Sequence, residues 1–364
     1  MKSLEQIVAL AKEKGASDIH IAAGVPVKLR IDGQLENMDD EIVTGQDCDD
    51  YARLLDPKGF DGISRIGESD GAVQIDGSRI RINLYRTDGS MSLALRLLAD
   101  RIPQLKELGL PPAVDSFASM KKGLILVTGE TGSGKSTTLA AILNQINHTR
   151  KEHIITLEDP IEYVYAPDQS LISQREIGRD TQSWTDGLKS ILREDPDIIL
   201  IGEMRDAAAM EIALTAAETG HLVFSTVHTN GAVDTVDRVV SAFPADRQME
   251  IRVQLASVLK AVLSQQLLVR KSGHGRVAAC ELMMVNAAIR NQIRDGNTPQ
   301  MQSSLLASRS IGSLSMDNCL LDLVRKGMIS AETAVENAVN QEYVRKSAGM
   351  SMSFVKQTQM GGLR

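Results

Sequence analysis

Residues 124–136 read Leu124-Ile125-Leu126-Val127-Thr128-Gly129-Glu130-Thr131-Gly132-Ser133-Gly134-Lys135-Ser136. An apolar run this short, bounded by glycine, is a buried strand, and 129–136 fits the phosphate-binding pattern Gly-x-x-x-x-Gly-Lys-Ser. The glycines let successive backbone N–H groups turn inward around a phosphate, and a helix start directly behind adds its positive dipole. Lys135 then reaches the outer phosphates, and the Ser136 hydroxyl is placed for Mg²⁺. The expected nucleotide-binding set is Thr131, Gly132, Ser133, Gly134, Lys135, Ser136 and Thr137.

The same texture extends downstream. Apolar strands are predicted at 124–128, 154–157, 198–201 and 222–226, with helices at 136–147, 185–193 and 207–218 between them. Such alternation predicts a mainly parallel sheet covered by helices, and helical patterns are expected again from Asp246 onward. Asp195-Pro196-Asp197 leads into the third strand, which ends in Gly202-Glu203, so Glu203 lies at a strand's carboxyl end, where open α/β sheets bind ligands. There it can hold Mg²⁺ through water or orient an attacking water. Glu158, Asp159 and Glu162 follow the second strand, and hydrolysis needs one carboxylate to take a proton from water. His221 and His228 bracket the fourth strand. Beside an apolar strand, histidines are more often structural than catalytic, and no third residue at useful spacing makes them a metal site.

The first hundred residues differ. Behind an amphipathic helix (Leu4, Ile7, Val8, Ala11), short β-type runs at 27–31, 72–75, 79–85 and 91–98 alternate with Asp-Gly pairs at 32–33, 61–62, 70–71, 76–77 and 88–89. This predicts a small α+β domain with an antiparallel sheet over 1–101. Pro103, Gly109, Pro111 and Pro112 mark a linker at 102–113, a second domain is expected over 114–349, and 350–364 reads as a frayed tail. The whole chain has 364 residues, 43% hydrophobic and 24% charged, which excludes wholesale disorder. No apolar run approaches the roughly 18 residues a membrane span needs, and the N-terminus lacks a signal-peptide core. Three scattered cysteines argue against a disulfide framework or zinc site. A net charge of −7 and 3% aromatic residues argue against nucleic acid as a partner. A soluble cytoplasmic protein without direct membrane insertion is the expectation.

In order and spacing, the P-loop, an acidic box at 155–163, a strand-end acid motif at 192–206 and a histidine box at 220–230 resemble the secretion ATPase superfamily. Gln174-Arg175-Glu176-Ile177-Gly178 and Ala288-Ile289-Arg290-Asn291-Gln292-Ile293-Arg294 resemble its type IV pilus retraction branch. Gln292 stands where that branch carries Leu, and Glu130 where the family commonly has Pro. Glu130 is expected to point outward, since an inward acid would repel a triphosphate. The resemblance runs from Ser17 to about Lys326. It implies a PAS-like N-terminal α+β domain followed by a RecA-like P-loop ATPase domain with a helical C-terminal part. It also implies ATP and Mg²⁺ as ligands, with Glu162 as general base and Glu203 as the strand-end glutamate. His221 and His228 form the histidine pair, and Arg81, Arg96 and Arg193 are phosphate-sensing arginines, a task suited to the guanidinium fork. The implied assembly is a homo-hexamer driving pilus retraction from the inner face of the cytoplasmic membrane, docked to an inner-membrane platform protein and acting on pilin indirectly. An accessory retraction paralogue and an assembly or type II secretion ATPase are the alternatives.

Overall fold

Turn pairs and apolar runs in the first hundred residues build an antiparallel sheet. The computed structural model describes residues 2–31, 33–98 and 101–349, so the tail expected at 350–364 lies outside the described residues. Contacts divide the chain into two units, Met1–Ile102 with Glu158–Ala166, and Pro103–Leu157 with Pro167 onward.

The first unit runs α1 (Leu4–Glu13), β1 (Asp18–Ala22), β2 (Pro26–Ile31), β3 (Gln34–Ile42), α2 (Gly45–Leu55), α3 (Pro57–Ile66), β4 (Glu68–Ile75), β5 (Ser78–Thr87) and β6 (Ser90–Leu97). The strands form one sheet in the order β3-β2-β1-β6-β5-β4. Asp76-Gly77 and Asp88-Gly89 join β4 to β5 and β5 to β6. All four residues have positive φ, from 47° to 78°, the conformation that suits a two-residue hairpin between right-twisted strands. Along β5, Ser78, Ile80, Ile82 and Leu84 are buried while Arg79, Arg81, Asn83 and Tyr85 are only partly covered, the two-residue period of a half-buried strand. The apolar face packs in one cluster with Leu4, Ile7, Val8 and Ala11 of α1, which opens on a Ser3–Gln6 capping box.

Two expected turns are not turns. Asp61-Gly62 lies inside α3, because Asp56 caps the helix start and Pro57 occupies its first position. Asp70-Gly71 lies inside β4, where the ladder with Asn83 and Ile82 of β5 supplies an extended partner for the backbone.

The second unit opens with 3₁₀ turns at Leu105–Leu108 and Pro112–Ser119, within and just beyond the stretch read as linker. There follow β7 (Gly123–Thr128), α4 (Lys135–Thr149), β8 (His153–Glu158), β9 (Leu171–Glu176), α5 (Trp184–Ile191), β10 (Ile198–Ile201), α6 (Ala207–Glu218), β11 (Leu222–Val227), α7 (Ala232–Ser241), α8 (Gln248–Val258), β12 (Leu259–Val269) and β13 (Arg276–Met284). Helices α9 (Ala287–Asp295), α10 (Thr298–Ala307), α11 (Met316–Arg325), α12 (Ala331–Glu336) and α13 (Gln341–Ser347) complete it. The sheet order is β13-β12-β7-β11-β10-β8-β9. β12, β7, β11, β10 and β8 are mutually parallel, and β13 runs antiparallel at the edge. Strands β7, β10 and β11 are buried along their whole length, as expected of parallel strands covered on both faces.

Helices α8 to α13 do follow Asp246, but the helical reading of that part misses the strand pair at 259–284. Leucine, alanine, methionine and glutamine in these strands carry helix propensity, but β12 pairs with both β7 and β13, and that tertiary pairing prevails.

Glu281 on β13 is 4% exposed, and its Oε1 accepts the Ala232 N–H at the start of α7 (2.8 Å). Burial pushes this carboxyl above its ordinary range, outweighing the Ala232 and Met316 backbone N–H groups that pull it down. The folded state therefore holds this proton more tightly than the unfolded chain. Glu281 lowers stability as pH rises from about the ordinary 4.5 through the raised value. Glu281→Gln keeps an acceptor for Ala232 and removes the charge, so its unfolding midpoint should fall less with rising pH than that of the unsubstituted chain. Urea melts from acid to neutral pH check this, and parallel slopes for the two proteins would refute it.

Candidate functional site

The loop between β7 and α4 carries the phosphate-binding geometry. Gly129, Gly132 and Gly134 have φ of 138°, 80° and 90°, conformations that residues with a Cβ rarely adopt. Lys135 is buried, and its Nζ donates to the carbonyl oxygens of Gly129 (2.7 Å) and Glu130 (2.9 Å), which fixes the ammonium within the loop. The Ser133 hydroxyl is buried with no hydrogen-bond partner among the described residues, an orphan of the kind a phosphate oxygen would satisfy. Thr131, Gly132 and Ser136 are exposed, and Thr137 is half-buried at the start of α4. Glu130 is also exposed, and its Oε1 accepts from Asn230 Nδ2 at 3.4 Å.

Glu203 stands just past β10, on the same edge of the sheet as the loop, because β7, β11 and β10 are parallel neighbours. Its carboxylate, 18% exposed, pairs with Arg205 and lies 3.5 Å from His228 Nε2. The Gly202–Glu203 turn is pinned to β11, where Met204 N–H donates to Thr226 O (3.0 Å) and Thr226 Oγ1 donates to Gly202 O (2.6 Å).

The structure does not bring His221 and Arg193 to this edge. His221 precedes β11, a strand of six residues, so about 20 Å of extended chain separates it from His228. Its Nδ1 lies 2.9 Å from Ala216 O and 3.1 Å from Thr219 Oγ1, which ties the end of α6 to the start of β11. Arg193 is exposed and precedes β10, likewise at the edge where the parallel strands begin.

Glu162, Arg81 and Arg96 belong to the first unit. Arg81 on β5 and Arg96 on β6 are directly paired across the ladder. Arg96 Nε also donates to Asp18 Oδ1 (2.8 Å). Burial alone would raise the Asp18 carboxyl, but the bonds from Arg96 and Ser17 outweigh it and hold it below its ordinary value. Glu162 lines a cleft of about 60 Å³ together with Arg79 and Arg101.

Three contributors escaped sequence reasoning. Arg205 is one, though its place two residues after Glu203 was a signal. Gln265 is another, a polar residue within an apolar strand whose side-chain Oε1 accepts from Thr138 of α4 (2.9 Å). The third is Thr128, whose hydroxyl bonds the histidine-box loop.

A parallel sheet whose strand-end loop presents glycine N–H groups, a buried lysine and a nearby acid defines a P-loop nucleotide-binding protein. The family model described as "Type II/IV secretion system protein" matches residues 1–358. The chain is 42% identical to the type IV pilus retractation ATPase PilT of Pseudomonas aeruginosa over 339 residues, 92% of this chain and 98% of that one. Against the twitching motility protein of Neisseria gonorrhoeae it is 47% identical over 277 residues, 76% of this chain and 72% of that one. The crystal structure of the pilus retraction motor PilT with bound ADP matches with a TM-score of 0.89 at 42% identity, covering 95% of this chain and 100% of that one. The chain belongs to the type II/IV secretion system protein family, as one of its ATPases.

The loop glycines are not equivalent. A Cβ on Gly129 would lie 2.2 Å from the Gln265 carbonyl oxygen, whereas one on Gly132 meets nothing within 4 Å. Gly129→Ala should cost about 2–5 kcal/mol through clash and strained φ together, and Gly132→Ala only about 1–2 kcal/mol from φ. Urea denaturation of both variants measures the difference, and equal losses would contradict the seating of the loop on Gln265.

Proposed function

We propose that this chain is the subunit of a hexameric ring that hydrolyses ATP to drive retraction of a type IV pilus. In this reading it works at the cytoplasmic face of the inner membrane and is docked there to a platform protein, with pilin acted on indirectly. The observation that carries the reading is the common strand-end edge holding the phosphate loop, Glu203 and His228, in a chain similar to retraction motors over nearly its full length. Among the described residues no helix is long and apolar enough to cross a membrane, so attachment through a partner fits.

Residue roles follow from their chemistry. The loop N–H groups and Lys135 bind and neutralise the outer phosphates, with Thr131 to Thr137 forming the cradle. Among the described residues no cluster of three or more His, Cys, Asp or Glu is placed to hold a metal alone. That fits Mg²⁺, which takes one or two protein oxygens and completes its shell with phosphate and water. Ser136 and, through water, Glu203 are the oxygens offered, and the ion when bound offsets phosphate charge. Glu162 takes the proton from the attacking water. His228 steadies Glu203, and Arg81 and Arg96 report the state of the phosphates to the N-terminal domain, whose motion supplies the stroke.

Glu162→Gln tests the assignment in cells and in purified protein. ATP turnover should fall by about 10²–10⁴-fold, the usual contribution of a general base, and surface pili should accumulate. Pili that vanish instead would make this an assembly motor, and unchanged turnover would remove Glu162 from the chemistry.

A further inference from the structure

Three threonines join the end of β7 to the histidine box through one chain of hydroxyls, buried at both ends and half-buried at Thr229. Thr128, the last residue of β7, and Thr235 of α7 are both 0% exposed, and Thr229 follows His228 directly. Thr128 Oγ1 donates to Thr229 O (2.5 Å), lies 2.6 Å from Thr229 Oγ1, and accepts the Thr229 N–H at 3.0 Å. Thr229 Oγ1 lies 2.7 Å from Thr235 Oγ1, which in turn donates to Gly231 O at 2.7 Å.

Each hydroxyl has a single proton, and this limits which contacts each threonine can donate to. The Thr235 proton is committed to Gly231 O, and the Thr128 proton to Thr229 O. The Thr229 proton is left for either neighbour, because Thr128 Oγ1 and Thr235 Oγ1 can each accept it. Thr229 thus stands between two committed hydroxyls, and its proton can turn to the Thr128 side or to the α7 side. Its neighbours fasten the same segment, since Ser264 Oγ donates to Asn230 O (3.0 Å) and Glu281 accepts from Ala232 N–H. The residue before this anchored threonine is His228, the partner of Glu203.

We infer that Thr229 is a positioning residue. Its hydroxyl and backbone hold His228 in register with Thr128, the residue that leads into the phosphate loop, so that a shift of the loop on nucleotide binding or release is passed to the His228–Glu203 pair. The inference rests on the roles proposed above for His228 and Glu203. Coupling through a short bond chain with buried ends is stiff, because breaking a link at Thr128 or Thr235 leaves a buried hydroxyl unmet.

The test uses the full chain, with steady-state ATPase kinetics and ADP affinity by titration. Thr229→Val removes the hydroxyl at nearly constant volume. It should lower kcat by about tenfold or more while ADP affinity stays within about threefold, because the phosphate cradle is untouched and alignment is lost. Thr229→Ser should restore kcat. In a His228→Ala background, Thr229→Val should change kcat by less than about twofold, since residues acting through one another are not additive. Thr128→Val removes the other end of the same bond and should repeat the pattern if Thr229→Val fails to fold. Equal losses in both backgrounds, no loss at all, or failure of the serine variant to rescue would overturn the inference. A His228→Ala chain with undiminished kcat would instead remove the role proposed for His228, and the inference with it.

Discussion

The phosphate loop leans on a strand that the chain reaches more than a hundred residues later. The Gln265 carbonyl of β12 approaches Gly129 so closely that a Cβ there would sit 2.2 Å from it, and the Gln265 amide nitrogen would be 2.8 Å from a Cβ on Gly134. Gln265 also accepts from Thr138 in the first turns of α4. One residue therefore touches the start of the loop, its end and the helix behind it. Its position is set by register, because Ser264 pairs with Thr128 and a one-residue slip would turn Gln265 to the other face of the sheet. β13 guards that register by pairing with β12 from Ala261 to Val269. The loop's shape is in this sense a property of the whole sheet.

Local signals explain what could be read in the chain and what could not. The strands β7, β8, β10 and β11 were legible because each is a short apolar run closed by glycine, an acid or histidine, and α6 because its bounds carry a capping Asp206. The Asp-Gly pairs at 76–77 and 88–89 marked hairpins, while the same dipeptide at 61–62 and 70–71 was overruled by a helix cap and by a neighbouring strand. β12 and β13 were hidden, since their residues suit a helix equally well and only the pairing of β12 with β7 and of β13 with β12 makes them strands. Lys135, Ser136 and the loop glycines followed from a contiguous motif. Arg205, Gln265 and Thr128 did not, because their importance lies in what they touch across the fold.

Parallel strands also sort residues by edge, a constraint that motif order in the sequence conceals. A motif that brackets a strand, as the histidine box brackets β11, has its two ends on opposite sides of the sheet. His228 emerges beside Glu203, whereas His221 closes the turn from α6 through Ala216 and Thr219. Arg193 is separated from Glu203 by β10 in the same way. Within one chain these residues serve different neighbourhoods, however close they stand in the motif.

The edge that carries the loop faces an electrostatic difficulty. An acid beside a polyphosphate repels it, most strongly where water is scarce. Glu203 is largely covered, yet its charge does not stand alone, because Arg205 and the His228 ring sit against the two carboxylate oxygens. Glu130, the other acid near the loop, is exposed, reaches toward Asn230, and leaves its backbone carbonyl to Lys135. The acids nearest the phosphate cradle are thus offset or turned outward before any ligand arrives. Arg205 and His228 gain their meaning from this balance. Without them the carboxylate at the end of β10 would oppose the ligand that the glycines and Lys135 are arranged to hold.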